Sequence, residues 1–149
     1  MIDKGKVQEI IVVILRVCLG FIFVYASLDK IFQPDKFARV IYNYRLVPVE
    51  TVNIFAIIVP WLELIIGFLL LLGIWVETAA FIMSVLTLAF IFMIASAIFR
   101  GLNIECGCFT LKETGSIVSW RRIIEDVFIL ASGILLFCYE LKAKLSEEK

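Results

Sequence analysis

Two cysteines stand one glycine apart, as Cys106-Gly107-Cys108, in a stretch between two apolar runs. Thiols at i and i+2 of a loop can close a disulfide, because their Cα atoms can approach within the roughly 4.4–6.8 Å that such a bond needs. Gly107 allows the backbone angles of so small a ring. A ring this tight is strained, and strain favours the reduced form and raises the reduction potential. A strained, accessible pair is more often an exchanging dithiol than a structural staple. Arg100, Lys112, Arg121 and Arg122 lie near enough in sequence to favour a thiolate, while Glu105 opposes them. Two blander readings stay open: a half-built metal site, or two small buried residues. The chain contains no histidine, so a zinc site would lack good candidates for its four ligands.

The missing histidine also removes imidazole acid–base catalysis and His-ligated haem, and no haem or metal is expected. Of the 149 residues, 62% are hydrophobic, against about 45–50% for soluble domains. Fourteen Lys and Arg balance fourteen Asp and Glu, so no electrostatic argument points to nucleic acid as a partner. Thirteen Phe against three Pro argue against disorder.

Elements long enough to cross a bilayer must position the cysteine pair. A hydrocarbon core about 30 Å thick takes roughly 20 helical residues. Four stretches predict an all-α, integral membrane four-helix bundle forming a single domain, with spans at about 8–29, 52–76, 78–99 and 118–141. Long unbroken apolar runs indicate helices, since barrel strands alternate over about ten residues. The first run is too long for a cleavable signal and lacks a small-residue cleavage site. The fourth stretch is charge-free only over residues 127–139, so it must enter the membrane through Arg121, Arg122, Glu125 and Asp126, on a protein-facing side. Ala80, Ser84, Ala95, Ser96 and Gly133 are small enough to let helices approach closely.

The first connection, about 29–51, holds Phe37, Val40, Ile41 and Tyr44 at i, i+3, i+4 and i+7. That spacing predicts a short amphipathic helix at the membrane interface. Between the second and third spans only Glu77 interrupts the apolar run, which predicts a tight antiparallel hairpin. The third connection, 100–117, carries the cysteine pair. Loops one and three hold eight basic residues against five on the other side, and the positive-inside rule taken alone would place those loops in the cytoplasm.

Charged residues inside a membrane are functional candidates by default. Arg16 and Glu63 lie within the first two spans at comparable depth, and the expectation is that they pair. Such a pair is either structural or part of a polar spot that relays protons or binds a quinone. Asp126, with Glu125, stands near the cysteine segment as a candidate acceptor of a thiol proton. Cys18 and Cys138 fall at different depths and read as small apolar residues.

The succession Arg16…Gly20, Asp29-Lys30-Ile31-Phe32, Pro34-Asp35-Lys36-Phe37 and Pro60-Trp61-Leu62-Glu63-Leu64 resembles the DoxX-type four-helix membrane proteins. The run Arg100-Gly-Leu-Asn-Ile-Glu-Cys-Gly-Cys-Phe109, followed by Trp120 and an acidic helix entry, is similar to the MauE branch, the methylamine-utilisation proteins. Thr110 stands where that branch commonly has glycine. The resemblance implies disulfide formation or maintenance outside the bacterial cytoplasm, beside a thioredoxin-like partner. It also implies a link to quinone-coupled sulfur oxidation. Carried over, it makes Cys106 and Cys108 the exchanging dithiol, while Arg16, Glu63 and Asp126 match polar family positions. It puts the cysteine loop in the periplasm and both termini in the cytoplasm, against the charge count.

The expected function is therefore a membrane thiol–disulfide oxidoreductase of the bacterial inner membrane. It would pass electrons between a periplasmic thioredoxin-like protein and a lipid-soluble acceptor such as a quinone, with Phe99, Phe109, Trp61 and Trp120 as candidate walls of the acceptor site. Two alternatives are a non-catalytic subunit of a sulfur-oxidising or redox complex, and a small transporter using the Arg16–Glu63 spot.

Overall fold

The computed structural model describes residues 4–101 and 120–147, all of them in five helices and their short connections. These are α1 (Lys4–Phe32), α2 (Pro34–Tyr44), α3 (Val49–Leu72), α4 (Val76–Phe99) and α5 (Trp120–Glu147). The segment with Cys106, Cys108 and Phe109 lies outside the described residues.

Three helices, α1, α3 and α4, are long and apolar enough to cross a membrane. Only 28%, 33% and 22% of their apolar windows are buried within the chain. Most of that apolar surface therefore faces outward, where in water it would be unfavourable and in lipid it is at home. Ile14, Phe21, Ile57, Phe92 and Leu135 are among the large side chains on this outer face. The chain is a multi-pass membrane protein. Helix α5 falls outside the three because Arg121, Arg122, Glu125 and Asp126 open it and Glu140, Lys142 and Lys144 close it.

Helices α1 and α3 run antiparallel, and glycine sets their approach. A Cβ on Gly67 would lie 2.7 Å from Val24 Cγ2 and 2.9 Å from the Val24 backbone nitrogen. One on Gly20 would lie 2.8 Å from Leu71 Cγ and 3.0 Å from the Gly67 carbonyl oxygen. Without a hydrophobic force between helices in lipid, such close backbone contact is a main source of association. Of the small residues singled out on the later helices, Gly133 of α5 packs on Met83 and Ser84 of α4, with Ala80 fully buried beside them.

Helix α2 buries Phe37, Val40, Ile41 and Tyr44, the face its spacing predicted. Pro34 starts it without costing a hydrogen bond, and Arg45 ends it in the left-handed region at φ 51°. The Arg100 guanidinium at the end of α4 donates to the Tyr44 carbonyl at 2.9 Å, which ties α2 to the point where the chain leaves for the cysteine segment. The α3–α4 hairpin turns at Gly73–Ile74–Trp75, not at Glu77. Glu77 instead sits in the first turn of α4, where Lys144 of α5 donates to it at 3.0 Å. Phe81 stacks near Phe137, and Ile123 packs near Ile94, so α5 lies antiparallel along the whole of α4.

Candidate functional site

The buried polar residues gather near the end of the bundle where α1 finishes and α5 begins. On α1, Leu19, Phe23, Ala26 and Lys30 recur at intervals of three and four, so Lys30 shares the face that carries the core. Its ammonium donates to both carboxylate oxygens of Glu63 at 2.7 and 2.8 Å. The two side chains are 1% and 3% exposed, so the charges meet in a medium where an unpaired ion would cost several kcal/mol, about 3–5 on removal of either partner. The ammonium also lies 4.9 Å from the Phe90 ring centroid and 5.3 Å from that of Phe37, within cation–π range.

Asp126 completes the group from α5. It is 2% exposed, and its Oδ2 has no hydrogen-bond partner among the described residues. Arg122 and Arg121 pair with Glu125 at 2.9 and 3.4 Å. A cavity of about 20 Å³ is lined by Asp126 and Glu63 together with Phe23, Ala26, Thr87, Phe90 and Ile129. On the other side of Phe90 is a larger, almost wholly apolar chamber of about 190 Å³ between α2, α3 and α4. Phe37, Tyr44, Val59, Phe90 and Met93 are among its walls.

These positions revise the expected site. Glu63 does not pair with Arg16. The antiparallel register puts Arg16 beside Gly73, where a Cβ would lie 2.8 Å from its Nη1. Gly73 is ten positions beyond Glu63 on the helix, a separation of about 15 Å at 1.5 Å per residue. Arg16 thus presents its positive charge to the C-terminal end of α3, where the exposed carbonyls carry partial negative charge. Lys30, which its place after the apolar run made look like a loop charge, takes the role expected of Arg16. Trp61 and Phe99 are 53% and 81% exposed and line neither cavity. Of the four charges expected on a protein-facing side at the entry to α5, Asp126 is buried, whereas the Arg121 and Glu125 side chains are 88% and 41% exposed. Cys18 and Cys138 are free thiols on the outer surface. Cys106 and Cys108 lie outside the described residues. Among the described residues, no group of three or more His, Cys, Asp or Glu is placed to hold a metal ion.

Comparison with known proteins adds the following. Residues 8–139 match the family model for methylamine utilisation protein MauE. The chain is 28% identical over 133 residues to the methylamine utilization protein MauE of Paracoccus denitrificans, covering 87% of this chain and 70% of that one. It is 32% identical over 129 residues to MauE of Methylophilus methylotrophus, covering 86% and 67%. A third, MauE of Methylorubrum extorquens, is 32% identical over 110 residues, covering 73% of this chain and 59% of its own length. No solved structure matches.

Proposed function

The chain belongs to the MauE family, and on that premise we propose that it is a membrane thiol–disulfide oxidoreductase whose Cys106 and Cys108 exchange with the dithiol of a periplasmic thioredoxin-like protein. What supports this reading is the motif Cys106-Gly-Cys108 in the sequence between α4 and α5, together with the buried Lys30–Glu63 pair and Asp126 that the described helices bring together. The proposal includes α5 as a fourth span. It places the cysteine segment in the periplasm and both termini in the cytoplasm of a bacterial inner membrane. The relatives' names concern methylamine utilisation, and we extend that setting to this chain.

The exchange is balanced without any other group. A thiolate of the partner attacks one sulfur of the Cys106–Cys108 bond, that bond breaks, and a mixed disulfide forms. The partner's second thiolate then displaces the bound sulfur, so the partner leaves oxidised and the pair remains as two thiols. Reoxidising the pair releases two electrons and two protons. A quinone, when bound, supplies a sink for both. The apolar chamber bounded by Phe37, Tyr44, Phe90 and Met93 suits its ring: an apolar cavity of about 150 Å³ holds one benzene, and this one measures about 190 Å³. Phe90 and Phe37 would flank the ring, with the Lys30 ammonium behind them.

The test is turnover in proteoliposomes that contain a quinone and a reduced thioredoxin-like protein. Cys106→Ser and Cys108→Ser should each abolish oxidation of that protein. An unchanged rate in the double variant would overturn the proposal.

A further inference from the structure

The three polar side chains that line the small cavity, Glu63, Thr87 and Asp126, offer it acceptors. Both Glu63 oxygens are held by Lys30, which leaves each with a free lone pair facing other directions. The Thr87 hydroxyl spends its hydrogen on the Met83 carbonyl at 2.9 Å, so its oxygen too has only lone pairs to offer. Asp126 Oδ2 has no partner among the described residues. Buried acceptors without a donor are unfavourable, and an ionised carboxylate without one is more so. The space, about 20 Å³, exceeds the roughly 10–15 Å³ that one water needs.

We propose that this cavity is a proton-binding site: it holds one water, and Asp126 carries a transferable proton on Oδ2 that is donated into the cavity. A proton on Oδ2 turns the orphan acceptor into a donor. The water accepts from it and donates its two hydrogens to Glu63 and Thr87. Lys30 is the positioning residue, because its two hydrogen bonds fix the Glu63 carboxylate. The charges acting on Asp126 are Arg122 and Glu125 on its own helix and Lys30 from α1. Glu63 faces it from α3, and α4 contributes the uncharged Thr87.

This deepens the dithiol reading and rests on it only for the reaction the proton would serve. Forming the Cys106–Cys108 disulfide releases two protons, and the acceptor takes up two. Asp126 lies six positions, about 9 Å along the helix, from Trp120 at the start of α5.

The experiment is infrared spectroscopy of the full chain in detergent across pH, reading the carbonyl stretch of a protonated buried carboxyl group. A band that titrates with pH is expected in the unaltered chain, shifting when heavy water replaces water. It should vanish in Asp126→Asn and persist in Glu125→Gln. It should also persist in the Cys106→Ser/Cys108→Ser variant, so that failure of the dithiol reading leaves this result standing. Should Asp126→Asn not fold, Thr87→Val serves, since it removes an acceptor from the cavity and should shift the band. A band that survives Asp126→Asn, or does not move in Thr87→Val, overturns the proposal. So does loss of the band when sodium replaces potassium at fixed pH, which would make the site one for a metal cation.

Discussion

Lys30 and Glu63 meet through two hydrogen bonds of 2.7 and 2.8 Å across a separation of 33 residues, both buried in the bundle. Removing one partner strands the other charge away from bulk water. Lys30→Met or Glu63→Gln should therefore destabilise the chain by about 3–5 kcal/mol. Replacing both at once, as Lys30→Met with Glu63→Leu, should recover most of that loss, because two apolar side chains of similar volume bury no charge. Unfolding measured in detergent for the three variants checks the sign and the recovery. A double variant that folds well yet has lost turnover would show that the pair serves the chemistry as well as the fold.

The same register makes a prediction about independence. Arg16 lies at Gly73, well away from Glu63. Sites more than about 7–10 Å apart with no shared partner usually combine additively. Arg16→Gln and Glu63→Gln should thus add in a double-mutant cycle, whereas Lys30→Met and Glu63→Gln should couple strongly. Strong coupling between Arg16 and Glu63 would mean that α1 and α3 are packed in a different register.

How much of this was readable beforehand depends on whether the signal was local. The buried face of α2 was legible because Phe37, Val40, Ile41 and Tyr44 repeat within one short helix. The α3–α4 hairpin was legible from the near absence of polar residues between two apolar runs, although Gly73, at φ 72°, rather than Glu77 marks where it turns. The partner of Glu63 was not legible, because it depends on how α1 slides against α3. That slide is set by Gly20 and Gly67 meeting backbone to backbone, a long-range match with no local pattern. The spacing of Lys30 from Leu19, Phe23 and Ala26 did carry a signal, which its neighbours Asp29 and Gln33 obscured. Thr87 and Phe90 of the site sit in an unbroken apolar run that is hydrophobic on all sides, so nothing in it picked them out.

Close packing at glycine gives a third prediction. Gly67→Ala puts a methyl group against the Val24 backbone, which cannot yield as a side chain can. Overpacking of this kind costs about 1–3 kcal/mol, and α1 and α3 should separate enough to weaken the Lys30–Glu63 bonds as well. Gly133→Ala meets Met83 Cε and Ser84 Oγ, the movable ends of side chains, with the Ala80 carbonyl oxygen at an ordinary 3.9 Å, so its cost should be smaller. Thermal unfolding of the two variants side by side gives the comparison. A larger loss for Gly133→Ala would contradict it.

Sidedness follows from the proposed direction of the dithiol. A reporter that is active only in the cytoplasm, fused after residue 149, should be active. One that is active only in the periplasm should be silent at the same position and active when inserted beside the cysteine segment. The reverse pattern would agree with the basic-residue count and remove the cysteines from any periplasmic partner.

The most direct measurement of the central claim is covalent capture. With Cys108→Ser or Cys106→Ser the remaining thiolate has no neighbour to displace it; offered a thioredoxin-like protein that lacks its own resolving cysteine and carries its other cysteine as a mixed disulfide with thionitrobenzoate, it should expel thionitrobenzoate and accumulate as a mixed disulfide with that protein in one of the two variants. The account predicts a reductant-sensitive adduct that forms through Cys106 or Cys108 and is absent when both are serine. Capture that proceeds equally through Cys18 or Cys138, or no adduct with either single variant while the unaltered chain still oxidises the native dithiol partner, would contradict it.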